Sequence, residues 1–381
     1  MKKHFRKTFS LYMAFGMLFL FLSASPPKSP KTIKGTLFDK AFETSVDSEL
    51  AKLMLTHPND SAVIQLFETY KNYPLTTQTL ANIYFEYSVD VASLYFVQRI
   101  YQQPENKKIQ NIYFQHIEKL HAHNDMEDLI KLKDYYLVFI PGLGYIDHPG
   151  TGANFKRQRK LMSYYGIPNE FIRTKQWGTV ESNAHIIYNR LRKICAQHKK
   201  IILISSSKSG LETAIVLGQM MKPEESQNIK AWVSVSGILR GSPIADYFLT
   251  PSRTLLSKII LLTKGKSIKI LQSISYRERR KSFDKLIFPE HIKIIHYVGV
   301  PMATQIRNKI KNQYMYMLPL GPNDGFTPIA DQISDKGIVI SEVGVDHFFD
   351  DPDIDVKSLS LALSCLDLIK TSSQSILTIE K

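Results

Sequence analysis

Residues 201–210, Ile201-Ile202-Leu203-Ile204-Ser205-Ser206-Ser207-Lys208-Ser209-Gly210, run an apolar strand into a serine-rich turn, and Gly210 to Met221 read as the helix that follows. A nucleophile on such a strand-to-helix turn sits in a sharp bend. Bulky side chains two places before or after it would collide there. That rule sorts the serines. Ser205 has Leu203 as a flank, Ser206 has Ile204 and Lys208, and Ser209 has Leu211. Only Ser207 has small residues on both sides, Ser205 and Ser209. A serine-rich loop before a helix also serves as a plain N-cap, so the surroundings must decide.

Outward from this segment, residues from about 135 onward alternate short apolar runs with helical stretches. Tyr135 to Gly144 is an apolar run stopped by Pro141 and Gly142. Val180 to His198 reads as a helix, Ala231 to Gly237 as a strand, and Ile292 to Val300 as another. Gly337 to Val345 is a last strand, and Val356 to Ile369 a last helix. Strands alternating with longer helices predict βαβ units and a mostly parallel sheet with flanking helices, an α/β class. Continuous apolar runs such as Ile201 to Ile204 suit strands buried on both faces.

On the motifs just quoted, the turn resembles the Gly-x-Ser-x-Gly elbow of the α/β-hydrolase superfamily, with serine replacing both glycines. The likeness covers roughly residues 135–370, and its nearest tone is that of bacterial lipase and esterase-type serine hydrolases. It implies Ser207 as nucleophile. It implies an oxyanion hole from the backbone amides of Leu143, in the Pro141-Gly142-Leu143-Gly144 loop, and Lys208. The family's usual His-Gly is Pro141-Gly142 here. The base is expected after the last strand, where His347 stands, and the other ten histidines fit that place less well. The acid is expected after the preceding strand, where Asp324 lies in an Asn323-Asp324-Gly325 turn, with Asp331 and Asp346 as the other candidates. Ser207, Asp324 and His347 then follow the family's chain order. Val233 to Phe248 is similar to the strand and loop that open the lid in bacterial triacylglycerol lipases.

The chain divides, on this reading, into a signal peptide at 1–25, a helical N-terminal region at 26–125 and a hydrolase domain at 126–381. A helical lid is expected at about 247–287. Lys2, Lys3, Arg6 and Lys7 precede an apolar run from Leu11 to Leu22, then Ser23, Ala24 and Ser25. That run is too short to span a bilayer and suits export to the periplasm or beyond; an uncleaved N-terminal anchor is the alternative. Residues 26–35 read as a linker, and residues 37–123 as several helices separated by Pro58, Pro74 and Pro104. The aromatic stripe Tyr84, Phe85, Tyr87, Tyr95 and Phe96 reads as core.

Net charge is +14, of which the leader carries four positive residues. Such a balance favours anionic surfaces, but no nucleic-acid motif is present, so no nucleic-acid partner is expected. Residues 251–285 hold ten basic residues against Glu278 and Asp284, together with a leucine- and isoleucine-rich run. This segment either lies on an anionic membrane or is a solvated helix with its leucines in the core. The two cysteines, Cys195 and Cys365, are either a pair or two buried free thiols. No metal-ligand spacing occurs, and no cofactor is implied.

The resulting expectation is hydrolysis of a carboxylic ester, on a small-molecule or lipid substrate, through a Ser-His-Asp triad and an acyl-enzyme. A non-catalytic binding module on the same scaffold is the second reading. An envelope interaction protein working through its N-terminal helices is the third.

Overall fold

Phe38 and Asp39 both adopt left-handed backbone angles (φ 55 and 59) and turn the chain between strands β1 (Thr32–Leu37) and β2 (Lys40–Ser45). Positive φ at both central positions makes a two-residue hairpin turn. The stretch expected to be linker and then helix is therefore an antiparallel hairpin from Thr32 to Ser45. The computed structural model describes residues 32–123 and 126–379, so the leader expected at 1–25 lies outside the described residues.

Four helices follow: α1 (Glu49–Thr56), α2 (Ser61–Tyr70), α3 (Thr77–Glu86) and α4 (Val89–Tyr101). Each begins on a side-chain cap, from Ser48, Asp60, Thr76 and Ser88 in turn, which satisfies an orphan amide of the first turn. The aromatic stripe divides. Tyr95 and Phe96 are buried, whereas Phe85 and Tyr87 are exposed.

The second layer is a sheet of six parallel strands in the order β4-β3-β5-β6-β7-β8. The strands are β3 (Tyr136–Ile140), β4 (Asn169–Phe171), β5 (Ile201–Ser206), β6 (Ile229–Val235), β7 (Lys293–Val300) and β8 (Gly337–Val343). Helices α5 (Pro104–His121), α6 (Met126–Leu132), α7 (Lys156–Tyr164) and α16 (Ile354–Ile379) cover one face. Helices α8 (Val180–Gln197) and α9 (Lys208–Ile215) cover the other. Between α9 and α16 lie α10 (Pro223–Ser226), α11 (Pro243–Phe248), α12 (Pro251–Thr263), α13 (Lys269–Ser273), α14 (Tyr276–Phe283) and α15 (Lys311–Met317).

The N-terminal helices are not a separate body. Their core includes Val298 and Val300 of β7 and Val339 of β8. Helix α5 lies along the edge strand β8, where Asn106 Oδ1 accepts from the Val339 amide and Gln110 Oε1 from the Ser341 amide, both at 2.8 Å. Residues 106 and 110 are one helical turn apart, and 339 and 341 point the same way along a strand. The two amide side chains thus close an edge that would otherwise offer free backbone donors. Cys195 and Cys365 are both buried and free, and burial raises their thiols to about 11 and about 12. No helix among the described residues is long and apolar enough to cross a membrane.

Candidate active site

Strand β5 ends at Ser206 and helix α9 starts at Lys208, so Ser207 alone makes the bend, with φ 54 and ψ −126. A non-glycine residue there stores backbone strain of about 1–3 kcal/mol, and the surroundings must hold it. They do. The Ser207 amide donates to Val235 O (3.0 Å), and its carbonyl accepts from Gly210 (3.0 Å) and Ile238 (3.1 Å). A Cβ on Gly210 would lie 2.8 Å from the Gly237 Cα, so glycine is what lets the helix start come this close to the loop after β6.

The serines that replace the flanking glycines have assigned partners. Ser205 is fully buried and its hydroxyl accepts from Trp232 Nε1 at 2.8 Å. Ser209 donates to Ile140 O at 2.8 Å and accepts from the Ser206 amide at 2.9 Å, tying the elbow to the end of β3. Each hydroxyl is therefore satisfied in a place where an orphan would be costly.

Ser207 Oγ lies 2.9 Å from His347 Nε2, and His347 Nδ1 lies 2.6 Å from Asp324 Oδ2. The three residues expected from three separate segments meet in one hydrogen-bonded line. The fold is that of the α/β-hydrolases.

Asp324 is wholly buried. Its Oδ1 accepts from the amides of Phe326 (2.9 Å) and Thr327 (3.0 Å), and its Oδ2 also accepts from Gln332 Nε2 (3.0 Å). Both amides belong to the two residues that follow the Asn323-Asp324-Gly325 turn, which brings them back onto the carboxylate. The His347 amide donates back to Asp324 O at 3.1 Å, and the Phe326 ring packs at 4.7 Å from the imidazole. The two other acid candidates are engaged elsewhere. Asp331 Oδ2 accepts from Thr77 and Tyr276, and Asp346 accepts from the amides of Arg307 and Phe348.

In the loop after β3, the Gly142 amide donates to Ala153 O and the Gly144 amide to Gln176 O. Between them, the Leu143 amide has no hydrogen-bond partner among the described residues, and neither does the Lys208 amide. Both residues line the cavity that Ser207 and His347 also line. Two free donors thus flank the nucleophile.

The Lys208 side chain turns the other way, into the protein. Its ammonium is buried against the Glu212 carboxylate and donates to Gly178 O at 3.1 Å. Asn183 Nδ2 donates to the same Glu212 oxygen at 2.9 Å. Burial holds the Glu212 carboxyl above the usual carboxylate range. Gln332, Glu212 and Asn183 carry no local sequence signal; each matters only through a partner brought close by the fold.

The cavity has a volume of about 1100 Å³. Ile244, Phe248, Leu271 and Ile274, from the segment where a lid is expected, form part of its wall. The run within α12 is turned outward. Leu255 and Leu262 are 70% exposed and Ile259 is 50% exposed, so the alternative that places these leucines in the core holds only for Leu261. No cluster of His, Cys, Asp or Glu among the described residues could hold a metal.

The sequence matches no protein-family model and no curated protein. Solved structures similar to it include a metagenomic carboxyl esterase, 19% identical over 62% of this chain and 76% of that one, with a TM-score of 0.49. A mature lipase of Bacillus licheniformis is 17% identical over 61% of this chain and 91% of its own, with a TM-score of 0.47. An inhibited esterase B of Lactobacillus rhamnosis is 12% identical over 65% and 80%, with a TM-score of 0.36.

Proposed function

We propose that the protein is an exported serine hydrolase that cleaves carboxylic esters. The observation that carries this reading is the unbroken line from Ser207 Oγ through His347 to Asp324, at 2.9 and 2.6 Å. A serine hydroxyl is a weak nucleophile until a base takes its proton. In the proposed cycle His347 Nε2 accepts that proton as Ser207 Oγ bonds to the acyl carbon. Asp324 holds the tautomer with the proton on Nδ1 and balances the imidazolium. The Leu143 and Lys208 amides donate to the oxyanion, each worth a few kcal/mol when aimed at charge that develops in the transition state. The imidazolium protonates the departing alcohol, leaving an acyl-enzyme. Water, deprotonated by the same imidazole, then releases the acid and restores Ser207.

The basic segment 251–285, with the outward leucines of α12, supports a lid that rests on an anionic lipid surface. Residues 1–25 support export ahead of folding in the periplasm or outside the cell, or retention through an uncleaved anchor. The test of the central reading is hydrolysis of p-nitrophenyl butyrate by the purified protein. Activity that disappears in Ser207→Ala while the circular dichroism spectrum is unchanged is the expected result. Equal turnover by the two proteins would refute the assignment. Sedimentation with phosphatidylglycerol vesicles, lost on Leu255→Ser/Leu262→Ser, tests the lid surface.

A further inference from the structure

His347 sits in a loop that belongs to neither strand nor helix. Strand β8 ends at Val343 and α16 begins at Ile354. Between them Gly344 and Phe349 take left-handed angles (φ 98 and 47), so the chain on both sides of the histidine leaves regular geometry. A general base must stay within hydrogen-bond reach of the proton it takes, and a displacement of about 1 Å can cost about a hundredfold in rate. The loop therefore needs support from outside.

That support centres on Asp346, the residue before His347. Its side chain is only 1% exposed. Oδ1 accepts from the Phe348 amide at 3.1 Å, and the Asp346 carbonyl accepts from the Phe349 amide at 3.1 Å, which folds the loop around the histidine. Oδ2 accepts from the Arg307 amide at 3.2 Å and lies 3.6 Å from Arg307 Nε. Among the described residues, Arg307 is the one cation within ion-pair distance of this buried carboxylate. Arg307 also reaches past the histidine. Its Nη2 lies 3.1 Å from Asp350 Oδ2, and its guanidinium 5.3 Å from the Phe348 ring. Asp350 is 79% exposed, and an exposed pair contributes little. The buried Asp346 is where the charge of Arg307 counts, because a buried charge that loses its partner is costly.

The segment that carries Arg307 is itself anchored. The Ala303 amide donates to Asp90 Oδ1 of α4 at 2.7 Å, and Asp90 Oδ2 accepts from the Asp47 amide at 2.8 Å. Gln305 Nε2 donates to Thr44 Oγ1 of β2 at 3.2 Å. The line of support runs from the N-terminal hairpin and helices, through residues 303–307, to the loop of His347.

We infer that Arg307 is a positioning residue: it holds the Asp346 carboxylate, and with it the loop that aims His347 at Ser207. The inference rests on the serine-hydrolase reading above.

The test measures kcat and KM for p-nitrophenyl butyrate, and the rate of Ser207 labelling by a fluorophosphonate, in wild type, Arg307→Met, Arg307→Lys, Asp346→Asn and Arg307→Met/Asp346→Asn. Arg307→Met is expected to lower kcat and the labelling rate together, by about tenfold to a hundredfold, with KM nearly unchanged. Arg307→Lys keeps a charge but can reach only one carboxylate, and its loss should be smaller. Asp346→Asn removes the carboxylate charge, so adding Arg307→Met to it should cost almost nothing further, the non-additivity of partners in contact. Arg307 also lines the cavity, so a role in gripping substrate would instead raise KM at constant kcat. That opposite split, full additivity in the double variant, or an unchanged kcat in folded Arg307→Met would overturn the inference and leave the hydrolase reading standing. Where circular dichroism shows Arg307→Met to be unfolded, the same split in Arg307→Lys decides. A wild type that neither labels nor turns over the ester would overturn both.

Discussion

Asp324 Oδ2 is shared between His347 and Gln332, while Oδ1 takes two backbone amides, so the carboxylate cannot rotate away from the imidazole. Replacing it by asparagine keeps the shape but offers an N–H where an acceptor is needed. Asp324→Asn is therefore expected to lower kcat by about 10⁴ with little change in fold, as the wrong histidine tautomer is then favoured; stopped assays on p-nitrophenyl butyrate beside a thermal melt measure both. Behind the elbow, Glu212→Ala would leave the Lys208 ammonium buried without its partner. A loss of about 3–5 kcal/mol in chemical denaturation is expected, and Lys208→Met/Glu212→Leu together should recover most of it. A loss under 1 kcal/mol for the single change would show that water reaches the pair. Ser207, His347 and Asp324 were readable because each sits in a short local signal: small flanks, the end of the last strand, an Asn-Asp-Gly turn. Glu212 and Asn183 were not, because their roles depend on a contact 29 residues apart in sequence. The Ser205 and Ser209 substitutions looked like departures from an elbow motif, and only the partners Trp232 and Ile140 explain why they fit.

Helix α5 does the work of an additional strand at the β8 edge by lending two side-chain oxygens to the ladder. Asn106→Ala or Gln110→Ala should each leave a buried β8 amide unsatisfied and cost about 1–3 kcal/mol. Denaturant midpoints measure this, and no change in either variant would mean that water replaces the side chain. The parallel strands and the helices between them were legible from apolar runs and spacing, since fully buried strands leave few other patterns. The N-terminal hairpin was not. Its turn is Phe38-Asp39, without the glycine or asparagine that marks such turns, and Phe38 is held by packing on Tyr101 and Phe114 at 5.1 and 5.6 Å. The outward face of α12 was half-legible. Its composition allowed a core helix or a surface one, and only the exposure of Leu255, Ile259 and Leu262 distinguishes them.

One buried core joins α1–α4 to β7 and β8. The chain's stability should carry one clear pH signature. His296 is fully buried in β7, and burial pushes its imidazole down to about 3, against about 6.5 when unfolded. Below pH 6.5 the unfolded chain takes up a proton that the folded chain refuses. This contribution is therefore complete above pH 6.5 and falls as pH drops towards 3, by a few kcal/mol in all. Asp90, raised to about 7 by burial and the nearby Asp47 carboxylate, acts in the opposite direction over part of that range. The stability difference between wild type and His296→Gln, measured from pH 7 to 4, isolates the histidine, and it should shift against wild type as pH falls. A pH-independent difference would place the histidine in contact with solvent. The division into a helical region and a hydrolase domain, read from composition, missed the shared core because burial between distant segments leaves no mark on either one alone. At the centre of the molecule, the line of Ser207, His347 and Asp324 is proposed to activate the serine hydroxyl. Treatment of the purified protein with a fluorophosphonate, followed by peptide mapping, reports on that activation at the residue itself. A single adduct on Ser207 is expected, lost in Ser207→Ala and strongly reduced in His347→Gln. A folded wild-type protein that stays unlabelled with detergent or lipid present, or an adduct on another serine, would rule out Ser207 as an activated nucleophile.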